Sequence, residues 1–477
     1  MKYLYTTLSL IILLLIIFFS CTGESKKNKS LSVPESNYVK QLDNELQKIF
    51  PIDKPGAAVI AYQNGRVIFR KAYGLANVEL MVPMKPEMIF KIGSISKQFT
   101  AISIMILNER GLLPLDNPIS MYLPDCTAKS QLIKIKNLLS HTSGIKNYND
   151  IPVFNSIIRD PFSPDEMIDI IKSQPPDFVP GKQWAYSNSG YILLARIVEI
   201  ISNQPFDQFV IKNIFEPAGM KNSYYIRDYE IIPNLVSGYR IEDGKLLKAE
   251  YMSMTHTYGG GDICTNVDDM VLYMDALLNK KLVSEKSLQY CFTPFVLDNG
   301  DETDYGFGWF CGHFQGYKVL YHGGGVYGFV SHSMYIPDKN IYVVILRNCV
   351  DPYTDTPTSA IGDMITATLL GVSESTGERI AIRLSEDQLY KYQGVYQFET
   401  GGKRRIAYDG NKLYYEIPPR KKENPWSKTE IIPESKVLFF AEGRKSTISF
   451  HFDDAENIIG FTVNQPFGRK VSAKKIN

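Results

Sequence analysis

The sequence predicts a mixed α+β chain with a small β-rich tail. Three observations point there. Strand-like segments lie at both ends of a long central region, that region is dominated by helical periodicity, and from Gly371 onward short alternating segments are separated by turn residues. With 477 residues and 44% hydrophobic content, the chain can bury a large core and has room for a second domain.

The first element is an N-terminal leader. Lys2 precedes an apolar run from Leu8 to Phe19, which is short for a membrane span and ends in Phe18-Phe19-Ser20-Cys21. This resembles a bacterial lipoprotein signal, with a loose cleavage motif because of the two phenylalanines. It implies a lipoprotein signal over 1–21 cleaved just before Cys21, lipid attachment at Cys21 and a polar tether over 22–37. An uncleaved anchor helix is the alternative. Either way the expectation is a membrane-tethered protein of the cell envelope, facing the periplasm or the cell surface.

Strands are expected over Ala57–Tyr62 and Arg66–Tyr73, joined by Asn64-Gly65, a strong two-residue hairpin signal. From Ser94 to about Leu282 the pattern is largely helical with long loops. Ser94-Ile95-Ser96-Lys97 opens the first long helix, in which Phe99, Ile102, Met105 and Ile106 recur at helical spacing until Gly111. A serine three residues before a lysine shares its helix face, so the hydroxyl can give its proton to the amine. The helix start also favours negative charge on an attacked oxygen. Ser143 to Lys146 and Ser472 to Lys475 have the same spacing but open no such helix.

Further along, Ser163-Pro164-Asp165-Glu166 is a capping box with proline at the first helical position, not a catalytic carboxylate. Tyr186-Ser187-Asn188 precedes the apolar run Tyr191 to Ile201. A phenol there can relay protons if a nearby cation lowers its pKa, and the amide can orient a carbonyl or hold the lysine. Gly306–Phe310, Tyr317–Tyr321, Val330–Ile336 and Ile341–Leu346 are expected strands, and Thr358–Leu370 a closing helix. Within this stretch, Tyr321-His322-Gly323-Gly324-Gly325 can bring backbone N–H donors close to a ligand.

These three elements, in this order, resemble the serine β-lactamase and penicillin-binding-protein superfamily, in its class C-like branch with esterases and D-amino-acid peptidases. Leu138-Leu139-Ser140-His141-Thr142-Ser143-Gly144-Ile145 and Phe90-Lys91-Ile92-Gly93 add to the likeness, which covers roughly residues 40 to 370. The resemblance implies an α/β sandwich, with an antiparallel sheet flanked by helices and a mainly helical subdomain, and a cleft between them. It implies Ser94 as nucleophile, Lys97 as its activating partner, Tyr186 as proton relay and Asn188 as a substrate-orienting amide. An oxyanion hole would form from the N–H groups of Ser94 and Gly325. His322, Gly323 and Gly324 would match the family's lysine-threonine-glycine motif. A histidine in place of that lysine is mostly neutral at pH 7, which weakens any carboxylate-binding site while leaving acyl transfer intact. His141 is expected to be structural.

The implied activity is that of a serine hydrolase acting on an ester, a peptide or a D-amino-acid amide. A true β-lactamase or D-alanyl-D-alanine carboxypeptidase, and a catalytically inactive binding or sensing lipoprotein, are the alternatives. No cofactor or metal is expected, because the cysteines have no metal-ligand spacing. Beyond Cys21 they are Cys126, Cys264, Cys291, Cys311 and Cys349, an odd set in which one or two disulfides or buried thiols are equally compatible with the sequence. Nucleic acid is not an expected partner, since 52 basic residues balance 51 acidic ones.

On this basis the expected organisation is a hydrolase domain over 38–370, a linker over 371–384 and a β domain over 385–477. Strands such as Lys412–Ile417, Val437–Ala441, Thr447–Phe452 and Ile458–Val463, with turns at Asp409-Gly410 and Asp453-Asp454, resemble the small β-barrel or lipocalin-like domains appended to such hydrolases.

Overall fold

In the computed structural model a single hairpin starts the main sheet. Strands β1 (Ala57–Gln63) and β2 (Arg66–Tyr73) are joined by Asn64 (φ 51°) and Gly65 (φ 81°). Both turn residues lie in the left-handed region, as the tightest hairpin turn requires. Residues 37–124, 130–351, 356–372, 379–398, 402–418, 426–441, 446–464 and 470–476 are described. The leader, Cys21, nearly all of the tether, Cys126 and residues 373–378 of the linker lie outside them.

Four further strands complete the sheet: β3 (Phe310–Phe314), β4 (Tyr317–Val326), β5 (Phe329–Ile336) and β6 (Ile341–Arg347). The order is β3-β4-β5-β6-β1-β2, antiparallel throughout, so the two ends of the region meet where β1 pairs with β6. Strand β6 is apolar along nearly its whole length because both of its faces are covered. Helix α1 (Asn37–Ile49) precedes β1 in the chain. Tyr342, Val344 and Leu346 join the main core, which includes helices α2 (Ser96–Glu109), α4 (Asn188–Ser202) and α5 (Val267–Leu278). Ile345 points the other way, towards Gly362 of α6 (Thr358–Leu369).

Helix α2 is buried from Ser96 to Leu107. It ends in a Schellman turn at Gly111 (φ 72°), whose N–H reaches Asn108 O while that of Leu112 reaches Leu107 O. Helix α3 (Pro164–Lys172) carries the capping box, with Ser163 N donating to Glu166 Oε2 at 2.7 Å and Glu166 N to Ser163 Oγ at 3.3 Å. The helical middle also contains short strands. Ile263–Thr265 sits between Phe90–Lys91 and Tyr224–Tyr225, and the hairpin of Tyr239–Glu242 and Lys245–Lys248 pairs with Cys349–Val350.

One expected strand moves. Gly306–Phe310 turns instead of extending, with Gly308 at φ 88° and Gly306 N bonded to Trp309 O, and the strand begins only at Phe310. A side chain at 306 would sit 2.2 Å from Cys291 O, so this glycine serves a close approach of backbone.

At the C-terminus, β7 (Gly394–Phe398), β8 (Lys403–Asp409), β9 (Lys412–Ile417), β10 (Ser427–Pro433), β11 (Leu438–Phe440), β12 (Thr447–Phe452), β13 (Ile458–Asn464) and β14 (Lys470–Lys475) close into a barrel. Neighbours in sequence pair throughout, and β7 pairs with β14. Tyr396, Phe398, Phe439, Phe450 and Phe461 fill a core of its own, as expected for a narrow eight-stranded barrel. Cys264, Cys291, Cys311 and Cys349 are buried free thiols.

The sheet meets α2 where β4 loses its side chains. A Cβ on Gly324 would lie 1.9 Å from Ile92 O, whereas one on Gly325 meets nothing within 4 Å. Gly324→Ala is therefore expected to cost at least about 2 kcal/mol of stability through overpacking, and Gly325→Ala to stay near wild type. Thermal or denaturant unfolding of the two variants measures the difference.

Candidate active site

Ser94 lies in a 3-10 turn, Gly93–Ile95, two residues before α2 begins at Ser96, so the expected helix start at Ser94 falls on this turn instead. Gly93 takes φ 52°, and a Cβ there would stand 2.7 Å from Gly325 N. Three bonds fix the approach: Ile92 N to Ile263 O at 3.1 Å, Ile263 N to Ser96 Oγ at 3.1 Å, and Ser331 Oγ to Ile92 O at 2.7 Å. The serine is thus held between the edge of the short central sheet and the glycine run of β4.

Lys97, in the first turn of α2, is 0% exposed. Its Nζ donates to Ser94 Oγ at 3.1 Å and to Gly260 O at 2.7 Å. The amine lies 5.1 Å from the ring centre of Tyr186 and 5.5 Å from that of Tyr191. Burial holds Lys97 down at about 7, opposed by the carboxylate of Asp262. Asp262 is 1% exposed and accepts from Gly259 N at 2.5 Å. Burial pushes its carboxyl up to about 6, opposed by the Gly259 N–H and Lys97 among others. Near neutrality the lysine is therefore divided between amine and ammonium, a state suited to taking a proton and giving it back.

Tyr186 faces Ser94 and Lys97 from the segment before α4. Burial raises its phenol well above the usual range, and the Ser94 hydroxyl beside it pulls less strongly the other way. The expectation of a cation-lowered phenol is thereby corrected: Lys97 is close to the ring, but desolvation dominates, and Tyr186 is a neutral O–H donor. Asn188 opens α4. Its Nδ2 donates to Asn149 Oδ1 at 2.6 Å and its N–H to Asn147 Oδ1 at 3.1 Å. The amide is thus bonded to the 147–149 loop, and the partner holding the lysine is Gly260 O instead.

His322 is 1% exposed. Its Nδ1 lies 2.6 Å from Gly323 O and its Nε2 3.0 Å from Tyr305 Oη, which makes Nδ1 the N–H donor and Nε2 the acceptor of the tyrosine proton. Burial, then Lys97, pushes the imidazole down to about 3, so it is neutral. His322 and Gly324 point inward on β4 while Gly323 and Gly325 are exposed on the other side. The two competing serine-lysine pairs are otherwise engaged. Lys146 pairs with Asp177 at 2.9 Å, and Ser472 shares a bond with Thr462 in the barrel.

Sequence reasoning passed over Asp262, Gly260 and Tyr305. The run Gly259-Gly260-Gly261 before Asp262 was a usable signal. Gly259, at φ 66°, would place a Cβ 2.4 Å from Ala195 Cβ, and only a bare backbone brings the Gly260 carbonyl to the lysine. Among the described residues no group of side chains is arranged to hold a metal ion.

This fold and site define a class. Residues 47–366 match the family model described as Beta-lactamase, and the chain belongs to that family of the serine hydrolase superfamily; it is a hydrolytic enzyme. PbpX of Bacillus subtilis (strain 168), a penicillin-binding protein by name, is 34% identical over 275 residues, covering 58% of this chain and 64% of PbpX. A D-aminopeptidase of Gluconobacter oxydans (strain 621H) is 26% identical over 372 residues, covering 76% of this chain and 68% of that protein. The octameric penicillin-binding protein homologue from Pyrococcus abyssi superposes with TM-score 0.63 at 26% identity, covering 91% of this chain and all of that one.

The electrostatics can be read directly. In a titration followed by NMR of labelled lysine, Lys97 is expected to lose its proton near pH 7, well below a free lysine. Asp262→Asn removes the one carboxylate that favours the ammonium, so the midpoint should fall further, and a rise would contradict the assignment.

Proposed function

We propose that this enzyme forms an acyl-enzyme on Ser94 and releases it to water, acting on an ester, a peptide or a D-amino-acid amide. The observation that carries the reading is the 3.1 Å contact between Ser94 Oγ and a lysine amine held at about 7. Neutral Lys97 takes the Ser94 proton as Oγ attacks the carbonyl carbon. The N–H groups of Ser94 and Gly325 stabilise the oxyanion, an assignment supported by how closely Gly93 packs on Gly325 N. Tyr186, a neutral phenol, passes a proton to the leaving group and is recharged by the lysine. Asn188 orients the substrate carbonyl. Water then attacks the ester with the same groups in reverse.

The substrate class follows from charge. With His322 neutral and engaged by Tyr305 and Gly323, the third motif supplies no standing cation for a carboxylate, which supports neutral esters and amides over penicillins. The D-aminopeptidase relative supports an amide or peptide of a D-amino acid. We place the enzyme in the bacterial cell envelope, tethered through lipidated Cys21, on the strength of the leader sequence alone. No helix among the described residues is long and apolar enough to cross a membrane.

Intact-mass spectrometry after incubation with esters, D-amino-acid amides and β-lactams should show one acyl adduct on Ser94. Ser94→Ala and Lys97→Ala should each lose at least about 10⁴-fold in turnover, with the double variant little worse than either, because the pair acts as a unit. Additive losses would remove Lys97 as the serine's partner. For the anchor, Cys21→Ser should shift the protein from the membrane fraction to the soluble one or leave an unprocessed precursor. A fully processed variant that stays bound to membranes would refute lipidation at Cys21.

A further inference from the structure

His141 lies outside the motifs that carry the proposed chemistry, yet it touches both sides of Tyr186. Its carbonyl accepts the N–H of Ala185 at 3.0 Å, and its Nδ1 accepts the N–H of Ser187 at 3.1 Å. The two bonds therefore bracket the tyrosine, one residue to either side. The imidazole packs against the phenol with ring centres 4.2 Å apart. It also lies 5.1 Å from Tyr191 and 4.6 Å from Tyr305. His141 is itself held at φ 60°, a left-handed conformation uncommon for a side chain of this size. Next to it, Gly181 N donates to Thr142 O at 2.8 Å, so the 181–187 strand of backbone is tied to 141–142 in three places. Helix α4 begins immediately afterwards, and the Ser187 side chain gives it no cap.

We infer that His141 is the positioning residue for Tyr186: a backbone and side-chain clamp that fixes the phenol against Ser94 and Lys97. The inference rests on the proposed acyl-transfer role of Tyr186. The chemistry requires a neutral imidazole, because only an unprotonated Nδ1 accepts the Ser187 N–H. Burial, with Lys97 and His322 nearby, holds His141 well below the usual histidine range and so keeps that nitrogen available. The Nε2, which then carries the proton, is buried and has no hydrogen-bond acceptor among the described residues. The proton of the relay does not pass through His141; the residue acts by geometry alone.

Two substitutions separate this role from general stability. His141→Asn keeps an acceptor where Nδ1 stands and tolerates positive φ, whereas His141→Ala loses the acceptor. Hydrogen exchange of the full chain reads the clamp through the amides of 185–187, and the labelling rate of Ser94 by a fluorophosphonate reads the chemistry. The expected result for His141→Ala is faster exchange at 185–187 and labelling slower by about 10²-fold at saturating probe, as for a catalytic group displaced by about 1 Å. His141→Asn should recover most of both. Alanine and asparagine variants that label equally slowly, or an alanine variant that labels like wild type, would overturn the proposal, as would unchanged exchange at 185–187. A wild-type protein that ignores the probe while the exchange pattern behaves as expected would sink the hydrolase reading and leave the clamp standing.

Discussion

The arrangement depends on one costly act, the burial of the Lys97 amine. An ammonium removed from water is strongly disfavoured unless it is paired, and the usual outcome is a lowered pKa. Here the compensation is deliberately incomplete. Gly260 O and Ser94 Oγ accept hydrogen bonds, two tyrosine faces offer weak cation–π attraction, and Asp262 supplies charge without a direct bond to the amine. A full salt bridge would have kept the lysine protonated and unable to accept from serine. An entirely apolar cage would have left it too weak a base. A value of about 7 lies between these limits.

Much of the fold can be read as a means of keeping that amine dry. Helix α2 is buried on all sides over its first three turns, so Lys97 cannot escape to the surface as most lysines do. Backbone closes around it from three distant parts of the chain, and at each one glycines permit the approach. Gly93 and Gly324 let the serine turn and β4 meet, and Gly259 lets the 257–261 loop press on α4. Bare backbone brings donors and acceptors within hydrogen-bond distance without a side chain between.

This division explains what the sequence disclosed. Ser94 and Lys97 were legible because their partnership is local: a spacing of three brings them together across the 3-10 turn that leads into α2. The hairpin at Asn64-Gly65, the capping box at Ser163 and the Schellman glycine at Gly111 were legible for the same reason. Asp262 and the clamp at His141 were not, since each acts across more than forty residues of sequence on a partner that only the fold supplies. Gly306–Phe310 misled because its aromatic and apolar residues have strand character, while the backbone is governed by Gly308 and the nearby Cys291 carbonyl. For Asn188 the sequence placed the amide at the start of α4, but the choice of Asn149 over Lys97 as its partner depends on a loop whose path no local pattern encodes.

The same cage constrains the charge that any substrate meets. His141 and His322 both lie close enough to Lys97 for its charge to depress their protonation, in addition to burial. A second cation in this space would raise the cost of the first, so the site accommodates about one positive charge, and that charge belongs to Lys97. Tyr305 reinforces the outcome, since by donating to His322 Nε2 it occupies the nitrogen that a proton would need. On the acyl-enzyme mechanism proposed above, the cage would gain its single cation as Ser94 gives up its proton and the oxyanion develops, so that the two charges arise together. A neutral third motif is then more than the loss of an anion anchor. In the fraction of enzyme that starts with a neutral Lys97 amine, it leaves the positive charge to arise with the oxyanion, where it would stabilise the transition state more than the bound substrate.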